Sequence, residues 1–205
     1  MNKCPLPTAY HEAGHALAFW WNGQYIKRVT VRSRTAARSG PMIDLLGNPH
    51  DVEGLVEADY LVPHPALDAP GIAEYLPSMV DSIERDLLDC FAGPVAEAVY
   101  WHRKVDTFIQ GSGRGDRYRG HELIRLLPAR KLLDAESLAI ARSRCLVRCY
   151  WPAVTAVAQL LQEHGTVDGN AVTALLCDIT GESPTLLRND LANLDRRCDR
   201  RWSAN

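Results

Sequence analysis

The sequence predicts a mainly α fold of the α+β kind, a helical domain with a small two- to three-stranded β element after its first helix. Three observations predict it. Residues 9–21 contain no proline and a single glycine, Gly14, and are rich in apolar side chains. From residue 78 onward Val80, Ile83, Leu87, Leu88, Phe91, Val95 and Val99 recur at spacings of three and four, the period of one helix face. Only two stretches, 25–33 and 54–62, read as strands.

Each element has a local reason. Pro7 and Thr8 suit a helix start, where proline and a hydroxyl cap are favoured, and Asn22-Gly23 suits its end. In 25–33, Ile26, Val29 and Val31 alternate with Lys27, Arg28, Thr30 and Arg32, which predicts a strand with one wet face. Residues 34–53, rich in Arg, Gly, Pro and Asn, read as a long loop. Pro63, Pro65, Pro70 and Pro77 make 63–77 irregular. Gly93-Pro94 is expected to interrupt and bend the helix that starts near residue 78. The Gly-Ser-Gly-Arg-Gly run at 111–115 closes a flexible loop, 110–115, before a helix over 116–127. Further helices are expected over 134–149, 151–163, 168–178 and 184–199, with Pro152 parting two of them and Ser183-Pro184 opening the last. The whole, 1–205, reads as one domain with 184–205 as a C-terminal helical extension.

Composition narrows the function. A hydrophobic share of 46% and a chain of 205 residues suffice for a core without disulfide staples. Net charge is −2, so no global field argues for nucleic acid or a membrane surface as partner. No apolar run reaches about 18 residues, the length that would suggest a membrane span. Cysteines 4, 90, 145, 149, 177 and 198 form no CxxC pair, and the N-terminal residues do not read as a secretory leader. The thiols are therefore expected to be reduced, as in a cytoplasmic protein. Cys145 and Cys149 read as small core residues, Trp20-Trp21 as core and site wall, and the mixed-sign run 195–201 as an exposed helix end.

The most informative segment is His11-Glu12-Ala13-Gly14-His15. Two histidines four residues apart lie one above the other on a helix, so their imidazoles can grip one ion. A glutamate after the first histidine can act on water held at that ion. This H-E-x-x-H pattern marks zinc-dependent peptidases, with Glu12 as catalytic base and His11 and His15 as metal ligands. Gly14 costs the helix about 1 kcal/mol relative to alanine, which points to close approach by another segment. A catalytic zinc needs a third protein ligand. His15 is not followed by the Gly-x-x-His spacing of metzincins, so the candidates are Glu97, His102, Asp106, Asp116 and His121. On the residues alone, Asp116 suits a helix N-cap as well as a ligand, and Glu97 suits a carboxylate that orients a zinc histidine.

The segment Ala9-Tyr10-His11-Glu12-Ala13-Gly14-His15-Ala16-Leu17 resembles the peptidase domain of FtsH-type AAA proteases. Phe91-Ala92-Gly93-Pro94-Val95-Ala96-Glu97 resembles that family's Ala-Gly-x-x-Ala-Glu helix. Gly113-Arg114-Gly115-Asp116-Arg117-Tyr118-Arg119 resembles the segment that supplies its third ligand, although Arg117 stands where the family has an apolar residue. The stretch 150–169 is similar to its C-terminal helical part, so the likeness runs over about residues 8–178. The resemblance implies Zn2+ on His11, His15 and Asp116, with Glu12 as general base. It implies Glu-assisted attack of zinc-activated water on unfolded or extended polypeptides. No Gly-x-x-x-x-Gly-Lys-Ser/Thr and no membrane segment occurs here, which implies a stand-alone peptidase domain, ATP-independent in itself. Its expected partners are a polypeptide substrate and an unfoldase or ATPase in trans. The competing expectations are an inactive peptidase-like module that docks on a partner, and a hydrolase acting on another amide. The sequence says nothing of oligomeric state.

Overall fold

The computed structural model describes residues 4–62, 72–183 and 191–202. The fold is mainly α, as the sequence predicts, with a three-stranded antiparallel sheet and a separate two-stranded one among the described residues. At its centre lies α1 (Leu6–Trp21), in which all of residues 9–21 are buried. A helix covered on every side is a core helix, and the polar His11, Glu12 and His15 are buried with the rest. Its start differs from the expected one. The N-cap is Pro5 with no side-chain cap, and the Thr8 hydroxyl instead donates to Glu53 Oε2 at 3.1 Å.

The chain then enters β1 (Ile26–Val31), the middle strand of the sheet. It pairs antiparallel with β4 (Gly54–Ala58), Val29 opposite Val56, and with β5 (Thr166–Asp168), Val29 opposite Val167. The expected strand 54–62 thus stops at Ala58, because the Asp86 carboxylate takes the N–H groups of Leu61 and Val62 at 3.1 and 2.8 Å. The expected loop 34–53 is also structured. Ser33 caps α2 (Arg34–Arg38), and β2 (Met42–Ile43) pairs with β3 (Pro49–His50). Asp44 organises that hairpin by accepting from Leu46 N, Asn48 N and Asn48 Nδ2.

The long helix α3 (Ile72–Trp101) covers one side of α1. It starts upstream of the expected residue 78 and includes Pro77, while 63–71 lie outside the described residues. Gly93-Pro94 does not interrupt it. The packing of its buried face against α1 outweighs the cost of about 3 kcal/mol that proline exacts inside a helix. The two helices approach closely because Gly14 has no side chain. A Cβ there would sit inside the contact distance of the Ala92 carbonyl and 2.7 Å from Ala96 Cβ.

The remaining helices are α4 (Val105–Ile109), α5 (Arg114–Ile124), α6 (Ala129–Leu132), α7 (Ala135–Cys149), α8 (Trp151–His164), α9 (Gly169–Thr180) and α10 (Leu191–Trp202). The expected last helix, 184–199, is described only from 191, so the Ser183-Pro184 start lies outside the described residues. Tyr10 stacks between Tyr100 and Trp151, with ring centroids 4.4 and 5.2 Å away, which fastens α1 to α3 and α8. Buried Arg142 of α7 forks onto Asp195 of α10 at 2.8 and 2.7 Å and reaches Glu84 of α3 at 2.9 Å. Trp20 and Trp21 are core residues.

The α1–α3 contact makes a stability prediction. Gly14→Ala adds about 1 kcal/mol of helix propensity but forces the helices apart, an overpacking penalty of about 1–3 kcal/mol. The variant is expected to have a lower urea midpoint than the parent protein, measured by circular dichroism.

Candidate metal centre

His11 and His15 leave α1 on one face, and α3 meets that face with residues 89, 93 and 97, themselves four apart. The His15 Nδ1–H donates to the Asp89 backbone carbonyl at 2.6 Å, and the His11 Nδ1–H donates to Glu97 Oε2 at 3.2 Å. Gly93 makes room between these contacts, since a Cβ there would press into the His15 ring, 2.6 Å from Cε1. Anchoring both Nδ1 atoms fixes the ring orientations and leaves each Nε2 as the atom that faces the site. Those two Nε2 atoms face each other 3.0 Å apart.

The third group arrives on α5. Asp116 stands in its first turn, but Gly113 is the N-cap and no side chain caps the helix. The capping role that the residue type suggested is therefore not the one adopted. Asp116 Oδ2 lies 3.1 Å from His11 Nε2 and 3.6 Å from His15 Nε2. Two ring nitrogens and a carboxylate oxygen at such separations repel unless a proton or a metal ion lies between them. Three donors about 2.1 Å from a tetrahedral ion would stand about 3.4 Å apart. The observed spacings of 3.0, 3.1 and 3.6 Å bracket that value, and the N, N, O donor set is one that zinc accepts. Among the described residues, His11, His15 and Asp116 form a group able to hold a metal ion.

The electrostatics point the same way. Burial alone would lower the basicity of His11, yet hydrogen bonds to Asp116 and Glu97 raise its pKa to about 10. Burial would raise Asp116, yet the two histidines hold its carboxyl below the ordinary range. The cage thus attracts positive charge. Glu12, 6% exposed, is raised by burial against the pull of both histidines. Its carboxylate packs against the backbone of Gly54 at the start of β4, where a Cβ would lie 2.6 Å from Glu12 Cγ.

The other candidates fall elsewhere. Glu97 is not in the donor group; it braces His11 and accepts from Ser112 Oγ at 2.6 Å. His102 and Asp106 are exposed, and His121 pairs with Glu136 at 3.3 Å. The cage opens on a cleft of about 1030 Å³, lined by His11, Glu12, β4 and the first turns of α5. Phe19 lines it, while Trp20 and Trp21 do not. Sequence reasoning missed Asp89, Ser112 and Gly54. Only the glycine carried a signal, as a residue with no side chain at the head of a strand.

Removing a brace costs less than removing a ligand. Glu97→Ala is expected to lower zinc affinity about 10- to 100-fold, and Asp116→Ala to lower it further. Competition with a chromogenic chelator measures both.

In comparison with known proteins, no family model matches this chain and no curated protein matches it significantly.

Proposed function

We propose that the protein is a zinc-dependent metalloendopeptidase whose domain is of the FtsH peptidase type, acting on unfolded or extended polypeptides. The observation that carries this reading is the convergence of His11 Nε2, His15 Nε2 and Asp116 Oδ2 beside a buried, non-ligating glutamate. His11, His15 and Asp116 would hold the ion, leaving a tetrahedral metal one position for exchange. Zinc, when bound, supplies Lewis acidity and activates water near neutral pH.

The chain's own groups supply the rest. Glu12 takes a proton from the attacking water on its carboxylate and delivers it to the leaving amine nitrogen. Burial supports the first task, because a carboxylate raised above its ordinary pKa is a stronger base, and the proton it takes stays on it until the more basic amine leaves. Asp89 and Glu97 hold the imidazoles in register through Nδ1, so the donor set needs little rearrangement during turnover.

Substrate access favours an extended chain. The sheet order is β4-β1-β5, so among the described residues β4 has β1 as its one strand neighbour, and its residues line the cleft. A peptide added along the opposite edge of β4 would run past Glu12, exchanging main-chain hydrogen bonds with the strand. A folded domain could not present its backbone in this way, which accounts for the preference for unfolded chains or for an unfoldase supplied in trans.

Two variants test the chemistry. Glu12→Gln is expected to retain zinc by elemental analysis and to lose hydrolysis of an unstructured casein substrate. Cleavage at the parent rate would remove Glu12 as the base. Chelation of the parent protein should abolish cleavage and zinc should restore it; a protein that binds no zinc would favour the docking module instead. Gly54→Ala keeps all three ligands but displaces the Glu12 carboxylate. A shift of about 1 Å is expected to lower kcat about 100-fold, with zinc content unaltered.

A further inference from the structure

The loop that delivers the third donor is tied to α3 at two neighbouring residues. Ser112 and Gly113 end the 110–113 connection between α4 and α5, four and three residues before Asp116. The Ser112 Oγ–H donates to Glu97 Oε2 at 2.6 Å. Gly113 is buried against Pro94, where a Cβ would come 3.0 Å from Pro94 Cβ. Residues 94 and 97 are three apart and share one face of α3. The first turn of α5 starts from this seat, the Arg117 N–H donating to the Gly113 carbonyl at 2.9 Å.

α5 has little else to hold that turn. Its buried residues are Gly120 and Leu123, both beyond Asp116. Apolar packing therefore fastens the far half of the helix and not the end that carries the carboxylate. Nor is Ser112 occupied as a cap. A serine before a helix ordinarily gives its oxygen to the free N–H groups, but Gly113 is the N-cap and no side chain caps α5. The hydroxyl is spent on Glu97 instead. Toward a carboxylate it acts as donor, and a short O–H bond to a charged acceptor is of the strong kind. The same Oε2 accepts from the His11 Nδ1–H at 3.2 Å. Two donors from two elements thus converge on one oxygen of a rotamer-rich side chain, and the Ser112 contact is the shorter.

We propose that Ser112 is a positioning residue that latches the two halves of the cage. Through Glu97 it holds the ring of His11, and through the same bond it holds the loop that brings Asp116 to the two Nε2 atoms. It acts on the donor group without belonging to it. The inference rests on the metal-site reading and needs no particular substrate.

The test is zinc affinity, read by competition with a chromogenic chelator across four proteins: the parent, Ser112→Ala, Glu97→Ala and the double variant. Ser112→Ala is expected to weaken binding about tenfold. In the Glu97→Ala background the same change is expected to alter affinity less than about twofold, because the bond it removes is already gone. A loop residue acting by itself would cost the same factor in both backgrounds. Ser112→Thr against Ser112→Val makes a second comparison, since the two side chains share a shape and only one has the hydroxyl. Ser112 is exposed on the cleft wall, so the added methyl groups have room. Threonine should retain the parent affinity and valine should lose it, a contrast that holds even if S112A fails to fold. Circular dichroism checks each variant. Undiminished affinity in folded S112A or S112V, or an equal loss in both backgrounds, overturns the proposal and leaves the metal site standing. A parent protein that binds no zinc overturns both. A parent that cleaves no casein while the affinities fall as expected removes the peptidase reading and supports the latch.

Discussion

Everything at the centre of this protein depends on how closely α1 and α3 lie together. Gly14 on one helix and Gly93 on the other remove the atoms that would hold them apart. Once together, a stripe at residues 89, 93 and 97 meets a stripe at residues 11 and 15, each with the four-residue step of a helix face. The match is one of period: α3 presents an acceptor, a gap and an acceptor to two imidazoles on α1. The same closeness that buries the core therefore also sets the imidazole orientations. Stability and the geometry of the candidate metal site are not separable at this contact, and glycine is the residue that both need.

The polar groups buried around that contact explain why the loops after α1 and β4 are fixed. Asn22 donates to the Arg85 carbonyl and to Asp89 Oδ1 at 3.0 and 2.9 Å, and Gln24 donates to the Asp59 carbonyl and Asp86 Oδ1, both at 3.1 Å. Asp86 also takes two N–H groups from the chain leaving β4. Burying two carboxylates three residues apart is costly. Burial, and then the neighbouring Asp86, push the Asp89 carboxyl well above the ordinary range. The return is positional. Asp86 pins the segment that follows the edge strand, and the Asp89 backbone carries the acceptor for His15, so one turn of α3 sets the geometry of both cleft walls.

The legible part of the fold was the part written in strong periodicity. An apolar run with no proline and one glycine located α1, the 3.6-residue pattern located the second half of α3, and the two-residue alternation located β1. What escaped was short or tertiary. β5 has three residues, too few for alternation, and forms because it lies against β1. Gly93-Pro94 looked like a breaker, since local propensity favours a break and only the partner helix overrides it. In the site, His11, Glu12 and His15 were readable because a single helix fixes their offsets. Asp116 was readable only in part, because a carboxylate entering a helix has two plausible uses and the third dimension chooses between them. The Asp89 carbonyl could not have been read at all: a backbone acceptor has no residue identity.

The division of labour among the carboxylates follows from their neighbours and not from their type. Asp116 and Glu97 both touch His11, one at Nε2 and one at Nδ1, and that single difference of ring atom separates a candidate ligand from a brace. Glu12 is one residue from a ligand in sequence, yet it joins neither group, because its stem leaves α1 toward Gly54 at the head of the edge strand. On the proposed reading, a carboxylate so placed would meet the open side of a bound ion and the incoming chain together. On that reading β4 would serve twice from one position: as a template for an extended peptide, and, through its bare first residue, as room for the side chain that would act on that peptide. Moving the strand by a residue would turn its side chains to the other face and put a Cβ where Glu12 now lies. The register of β4 against β1 is therefore as much a part of the candidate active site as the histidines are.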